Sequence, residues 1–392
     1  MTFDHFIPTR IIFGRGRLKE LASIAAPMGR SVLIVCGRRS VQASGLLANV
    51  RAALASRDMA VHVFDGISPN PKSDEVDAAA AIARRQGCDM VIGVGGGSAI
   101  DAAKAAAVST DYKSVCEIIG EIVPATIRRL PVIAIPTTAG TGAEVTKGAI
   151  IKDVVRGFRS GVRGDGVFPS VALVDPDLSQ SMPRHVACAT AFDALTHAIE
   201  SYIARAATPI TDVLAERSIR LFSMHCGALA DGKLDTAGHD DLCLAALIGG
   251  INIANTGSCL PHRLQQAMGS VDRIETSHPQ GLAAVYPTWL RHVRPFAKAR
   301  LDRVAHLLRF RPDDIAGEMA GLILRLGMNP TIGSYGYTRA DLNTFQSGIS
   351  GNLKNDPIDG MGPDLIRSIY AEAFQTPQSV VAAAGWKHMD DA

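Results

Sequence analysis

Apolar and polar positions follow two different rhythms along the chain. In the first half, short apolar runs alternate with segments of helical spacing. Strands are predicted at 31–36 (SVLIVC), 60–64, 89–94 (DMVIGV), 131–136 (PVIAIP), 148–152 and 171–174, with helices near 46–56 and across 73–86. Runs apolar at every position suit strands covered on both faces. Their alternation with helices implies a mostly parallel sheet with helices on both sides. After Met182 the period changes. Helical spacing dominates at 187–204, 210–230, 240–255, 261–268, 297–308 and 312–326, and strand-like runs become scarce. We expect a boundary near residue 180, with an α/β domain over 1–180 and an all-helical domain over 181–392.

Length agrees with two cores, since 392 residues exceed what one simple core fills. A hydrophobic content of 47% beside 20% charged residues is that of an ordinary globular protein. The formal net charge of +2 gives no general attraction for nucleic acid or an anionic membrane. Seven scattered cysteines without a C-x-x-C pair fit reduced thiols in the cytoplasm better than a disulfide framework. The opening MTFDHFIPTRIIFGRG lacks a basic-then-apolar secretory pattern, and the apolar stretch 242–254 is too short to span a bilayer. A soluble cytoplasmic protein is expected.

Three segments carry candidate chemistry. Gly95-Gly96-Gly97-Ser98-x-x-Asp101-x-x-Lys104 stands where a strand passes into a helix. Glycines there let the backbone come close to a ligand, and a helix start presents free N–H groups, so a pyrophosphate is the natural occupant. The plainer alternative is a tight turn with Ser98 as helix cap. Pro136-Thr137-Thr138-Ala139-Gly140-Thr141-Gly142-Ala143-Glu144 also follows a strand, and its small hydroxyl residues leave room for a planar ring. Finally, Asp193 and His197 are four residues apart in helical spacing, with His262 in CLPHRLQQAMG and His278 in TSHPQGLAAVYP. One carboxylate and three imidazoles can enclose a divalent transition metal and leave a position open for substrate. His5, His62, His185, His225, His239, His292, His306 and His388 fall outside this set and read as surface or core residues.

In this order, G-G-G-S-x-x-D-x-x-K, P-T-T-x-G-T-G-x-E, D-A-L-T-H-A-I-E-S-Y and two spaced histidines resemble the iron-containing alcohol dehydrogenase family. The likeness runs from about Pro8 to about Leu326. It implies the dehydroquinate synthase-like fold of that family: a Rossmann-like NAD(P)-binding domain, an all-α metal-binding domain and an active site in the cleft between them. It implies hydride transfer between a nicotinamide and a small alcohol or aldehyde, with Asp193, His197, His262 and His278 binding Fe(II), or Zn(II) instead. Gly95, Gly96, Gly97, Ser98 and Asp101 would hold the pyrophosphate, with Thr137, Thr138 and Thr141 along the path to the nicotinamide. Relatives usually form homodimers.

The chain departs from the family pattern at several points. Gln266 stands where many members have a second histidine, and glutamine cannot shuttle a proton at neutral pH. Ala191 replaces a glycine, and Arg159 a lysine with a cofactor role. The interval from His262 to His278, around Arg273, is slightly long. Where NAD-preferring members carry an acid after the first strand, this chain reads Cys36-Gly37-Arg38-Arg39-Ser40. Glycine removes the repulsion against a 2′-phosphate, and the arginines and serine could bind it, which favours NADP over NAD. Alternative activities are a maleylacetate reductase- or glycerol dehydrogenase-like oxidoreductase, a dehydroquinate synthase-like lyase, or a non-catalytic dinucleotide-binding protein.

Overall fold

The computed structural model describes residues 2–271 and 273–375. By internal contacts the chain separates into two compact units: Phe6–Met182, and Pro183–Ala392 with Met1–His5.

The first unit carries eight strands: β1 (Arg10–Phe13), β2 (Ser31–Gly37), β3 (Ala60–Ile67), β4 (Met90–Gly95), β5 (Val132–Pro136), β6 (Gly148–Asp153), β7 (Phe158–Arg163) and β8 (Val171–Val174). Six of them form one parallel sheet in the order β1-β8-β5-β4-β2-β3, and β6 pairs with β7 as an antiparallel ribbon. Helices α1 (Leu21–Ala25), α2 (Ser40–Ala43), α3 (Leu46–Ala55), α4 (Ser73–Arg85) and α5 (Gly97–Val108) complete the unit. Val32–Cys36 and Met90–Val94 are buried throughout because two apolar clusters cover the sheet, one on each face. Counted without β1, the order is the 2-1-3-4-5 type of doubly wound sheets. Its winding reverses between β2 and β4, and ligands bind beyond the carboxyl ends of strands at that reversal.

The second unit is helical: α6 (Arg184–Ile203), α7 (Pro209–Asp231), α8 (Thr236–Thr256), α9 (Leu260–Met268), α10 (His278–Leu308), α11 (Ile315–Arg325), α12 (Leu342–Ser347) and α13 (Pro363–Glu372). Helix α6 is buried on every side from Ala191 to Ile203, packed among α7, α8 and α10. Phe192, Tyr286 and Trp289 meet edge-to-face at its centre, with ring centroids 5.8 and 5.0 Å apart. Burying side chains of this size contributes about 1.5–3 kcal/mol each.

Two differences from the sequence expectation have local causes. Only 297–308 showed clear helical spacing, whereas α10 begins at His278. Pro287 and Pro295 lie inside it, and the backbone leaves helical geometry at Ala297 (φ −132°), so the two halves keep different faces inward. Strands β1 and β7 lack a continuous apolar run: β1 buries only Ile12, whereas the equally short β8 is buried at all four positions, and β7 carries Arg159 and Arg163. No single helix among the described residues is long and apolar enough to cross a membrane.

Candidate active site

The cluster of Asp193 and three histidines is assembled from three helices. Asp193 and His197 lie one turn apart on α6, His262 on the first turn of α9, and His278 at the first position of α10. One atom from each of the four lies within 4.8 Å of the others. Asp193 Oδ1 stands 3.8 Å from His197 Nε2, 4.0 Å from His262 Nε2 and 3.5 Å from His278 Nε2. Donors at about 2.1 Å from a tetrahedral cation are separated by about 3.4 Å, so little contraction would close the set. Asp193, His197 and His262 are buried and His278 is partly exposed.

The buried polar atoms favour a cation. Both oxygens of Asp193 and Nε2 of His262 have no hydrogen-bond partner among the described residues. Burial, with the charge of Glu200 second, pushes the Asp193 carboxyl up to about 8. Burial likewise holds His262 down to about 3, so its imidazole is neutral and has a lone pair to offer. An unsatisfied buried carboxyl facing the neutral His262 imidazole and two further imidazoles is the donor set of a metal site, and it fits the expected ion, which would displace the carboxyl proton on binding.

Glu200, which the sequence reading passed over, organises this centre. Its carboxylate lies 2.8 and 2.9 Å from His262 Nδ1 and accepts the Cys259 N–H at 2.7 Å. Donating Nδ1–H to Glu200 leaves Nε2 as the acceptor directed at the cluster. Gln265 Oε1 meets His278 Nδ1 in the same way. A second buried carboxylate, Asp356, accepts the Leu260 N–H and the Trp289 indole N–H, both at 2.9 Å. The start of α9 is thus held by two acids, favourable partners for its positive end. Helical spacing could have revealed Glu200, since residues 193, 197 and 200 share one face of α6.

Gln266, at the position of the expected second histidine, is buried and accepts a long 3.4 Å contact from Arg263. Arg273 pairs with Asp341 and bonds the Gly336 carbonyl at 3.2 Å. Among the other histidines, His225 pairs with Asp241 at 2.8 Å and His292 with Glu372 at 3.0 Å. His388 lies outside the described residues.

In the α/β unit the predicted segments gather at the carboxyl edge of the sheet. Gly95 pairs with Pro136, so the glycine turn after β4 and the threonine loop after β5 leave neighbouring strands side by side. A Cβ on Gly97 would stand 2.8 Å from Thr141 side-chain atoms, and one on Gly96 would stand 3.4 Å from Thr138. Helix α5 starts at Gly97 with Gly96 as its uncapped N-cap, so Ser98 lies inside the helix and does not cap it. Its first N–H groups remain for an anion.

Asp101 and Lys104 have structural partners. Asp101 Oδ2 accepts the Ile150 N–H at 2.9 Å, and Lys104 Nζ lies 3.0 Å from Asp101 Oδ1. Lys104, fully buried, also donates to the carbonyl of Ala143 at 2.9 Å and Thr146 Oγ1 at 3.1 Å, and to the Gly148 carbonyl. The pair ties α5 to the threonine loop and to β6. Gly37 ends β2, Arg39 precedes Ser40 at the start of α2, and Arg38 donates to the Gly66 carbonyl at 2.9 Å and to Glu75 at 3.3 Å. Arg159 sits on β7 opposite Lys152, in the ribbon and not in the main sheet.

A family model for the iron-containing alcohol dehydrogenases matches residues 8–176, and the model of that family's C-terminal part matches 187–374. The chain belongs to the iron-containing alcohol dehydrogenase family. It is 29% identical over 350 residues to alcohol dehydrogenase 4 of Schizosaccharomyces pombe, covering 87% of this chain and 81% of the relative. Among solved structures, an alcohol dehydrogenase from an archaeal halo-thermophile of a Red Sea brine pool superposes with a TM-score of 0.90. It is 26% identical, with 95% of this chain and 99% of that one covered. A sulfoacetaldehyde reductase from Bifidobacterium kashiwanohense, solved with NAD+, superposes with a TM-score of 0.84 at 29% identity, covering 96% and 100%. As a member of this family, the protein is an alcohol dehydrogenase, exchanging hydride between a nicotinamide cofactor and an alcohol or carbonyl compound.

Proposed function

We propose that Asp193, His197, His262 and His278 hold one divalent cation, Fe(II) with Zn(II) as the alternative, in a helical metal-binding and substrate domain. The observation that carries this reading is the pair of buried Asp193 oxygens that no donor among the described residues satisfies. A cation bound there supplies Lewis-acid polarisation of the substrate oxygen. Glu200 and Gln265 orient two of the imidazoles. Gln266 can bond a ligand but supplies no proton relay at its position.

The α/β unit is read as the NAD(P)-binding domain. Backbone at Gly95, Gly96 and Gly97 and the uncapped start of α5, with Ser98 on its first turn, receive the pyrophosphate. Thr137, Thr138 and Thr141 line the neighbouring loop, and Asp101 contributes by holding α5 in place. NADP is favoured over NAD: Gly37 sets no carboxylate at the end of β2, and exposed Arg39 beside Ser40 is available to a 2′-phosphate. Arg159 adds positive charge on the ribbon. The substrate is a small alcohol or aldehyde, and the protein works as a homodimer in the cytoplasm, where its seven free cysteines stay reduced.

Metal analysis of protein purified without air, followed by NADPH absorbance with a panel of aldehydes, tests the reading. One cation per chain and NADPH consumption are expected. A metal-loaded, fully active His262→Ala/His278→Ala double variant would overturn the ligand set. Tighter calorimetric binding of NAD than of NADP would reverse the cofactor assignment.

A further inference from the structure

We propose that Asp356 is a positioning residue: with Asn355 it clasps the three helices that carry Asp193, His197, His262 and His278, and so sets the spacing of these four donors before any cation arrives. The inference rests on the metal reading above and adds to it a part outside the donor set. Asp356 is fully buried, yet it forms no ion pair among the described residues. Its carboxylate accepts three N–H groups instead. Leu260 and the Trp289 indole bond Oδ2, both at 2.9 Å, and Ile358 bonds Oδ1 at 3.1 Å. Leu260 opens α9 just before His262, and Trp289 lies in α10 about three turns beyond His278, with helical backbone between them.

The same segment reaches the third helix. Arg205, just past the end of α6, donates its backbone N–H to the Asn355 carbonyl at 2.9 Å. Its guanidinium donates to the carbonyls of Asp356 and Pro357, at 2.9 and 2.8 Å. Asn355 Oδ1 accepts the Ala206 N–H at 3.3 Å. Its Nδ2 donates to the carbonyls of Thr256 and Ser258, at 2.9 and 3.2 Å, in the turn that leads into α9. Residues 355–357 therefore bond the exit of α6, the turn between α8 and α9, the first residue of α9 and the body of α10. The kind of side chain points the same way. Burying a carboxylate is costly, and without a counter-charge it stabilises less than an apolar residue of that size; what it fixes is geometry, through short charge-assisted bonds. A cation that had to order three loose helices around itself would bind more weakly than one meeting donors already in place.

Zinc affinity, read by competition with a chromogenic chelator in the full-length protein, tests the assignment. Asp356→Ala leaves the Leu260 and Trp289 N–H groups unpaired. It should weaken zinc binding by about tenfold or more and change the visible absorption of the Co(II)-loaded protein. Asp356→Asn can keep an acceptor for both helices and lose only the Ile358 bond, so most of the affinity and the wild-type spectrum should return. Met319→Ala, which opens a cavity in the buried face of α11, is the control. It should lower the urea midpoint and leave zinc affinity and spectrum as in wild type. A loss in Asp356→Ala no greater than in Met319→Ala would overturn the proposal, as would an Asn variant no better than the Ala one. Should Asp356→Ala fail to fold, Trp289→Phe removes one donor alone and should still lower zinc affinity by a few-fold; unchanged affinity there would also overturn it. Amide hydrogen exchange of the metal-free protein reads the clasp by itself: Asp356→Ala should speed exchange at Cys259 and Leu260 ahead of α7. Wild type that takes up no zinc, with that exchange effect present, would sink the metal reading alone.

Discussion

The cluster of Asp193 and three histidines and the carboxyl edge of the sheet solve opposite problems. At the cluster, side chains from three helices bring polar atoms together and leave the Asp193 oxygens bare, so recognition lies in functional groups. At the sheet edge recognition lies in what is missing: Gly96 and Gly97 have no side chain, and Thr138 and Thr141 occupy the space beside them. The first site is sensitive to deletion of atoms, the second to their addition.

The largest effect is expected on the side of deletion. His278→Ala should remove metal and turnover together while NADPH binding by calorimetry is retained. Loss of both ligands from one substitution would show that the two sites do not behave as separate constructions.

The converse change adds one methyl group. Gly97→Ala sets a Cβ 2.8 Å from Thr141 and should weaken NADPH binding by about 10–100-fold, an overpacking cost of 1–3 kcal/mol. Metal content should stay that of wild type, and Thr141→Ala should restore part of the loss in the double variant. Failure of that rescue would place the damage elsewhere than in the clash.

Glu200→Gln is subtler, since it alters only what stands behind a ligand. An amide oxygen can accept from one neighbour, but its NH2 then opposes the other donor, His262 Nδ1–H or the Cys259 N–H. Metal affinity should fall about 10–100-fold, read by competition with a chelator. Unchanged affinity would reduce Glu200 to a packing role.

The smallest effect concerns stability. Burial pushes Glu144, in the threonine loop, up to about 7, with the Lys104 charge opposing. A carboxyl raised above its unfolded value binds its proton more tightly in the native state. Its stabilising contribution is full below about pH 4.5 and is lost as pH rises through about 7. Urea midpoints at pH 5 and pH 8 should therefore differ less in Glu144→Gln than in wild type. An equal difference in both would remove Glu144 as the source.

Much of this division was legible in the sequence because it is written in periodicity and in motifs. The strands over 31–36 and 89–94 are apolar at consecutive positions, and Asp193 and His197 share a helix face by spacing alone. What could not be read depends on contacts distant in the chain. Asp101 and Lys104 belong to a glycine motif that suggests anion binding, yet their partners lie at Ile150, Ala143 and Gly148, beyond any local pattern. Glu200 looked like one more helical acid until α9 folded against it. Asp356 lies in a stretch whose pattern announced nothing, and its importance comes only from the backbone it accepts.

That last contact has a consequence for biosynthesis. Leu260 is separated by 96 residues from the acid that receives its N–H. Chains emerge from the ribosome amino end first. The turn bearing His262 therefore waits, incompletely anchored, until a further 96 residues have followed Leu260. On the proposed ligand set, metal capture would accordingly be a late event in the life of each molecule, with nothing finished beforehand to offer a wrong ion.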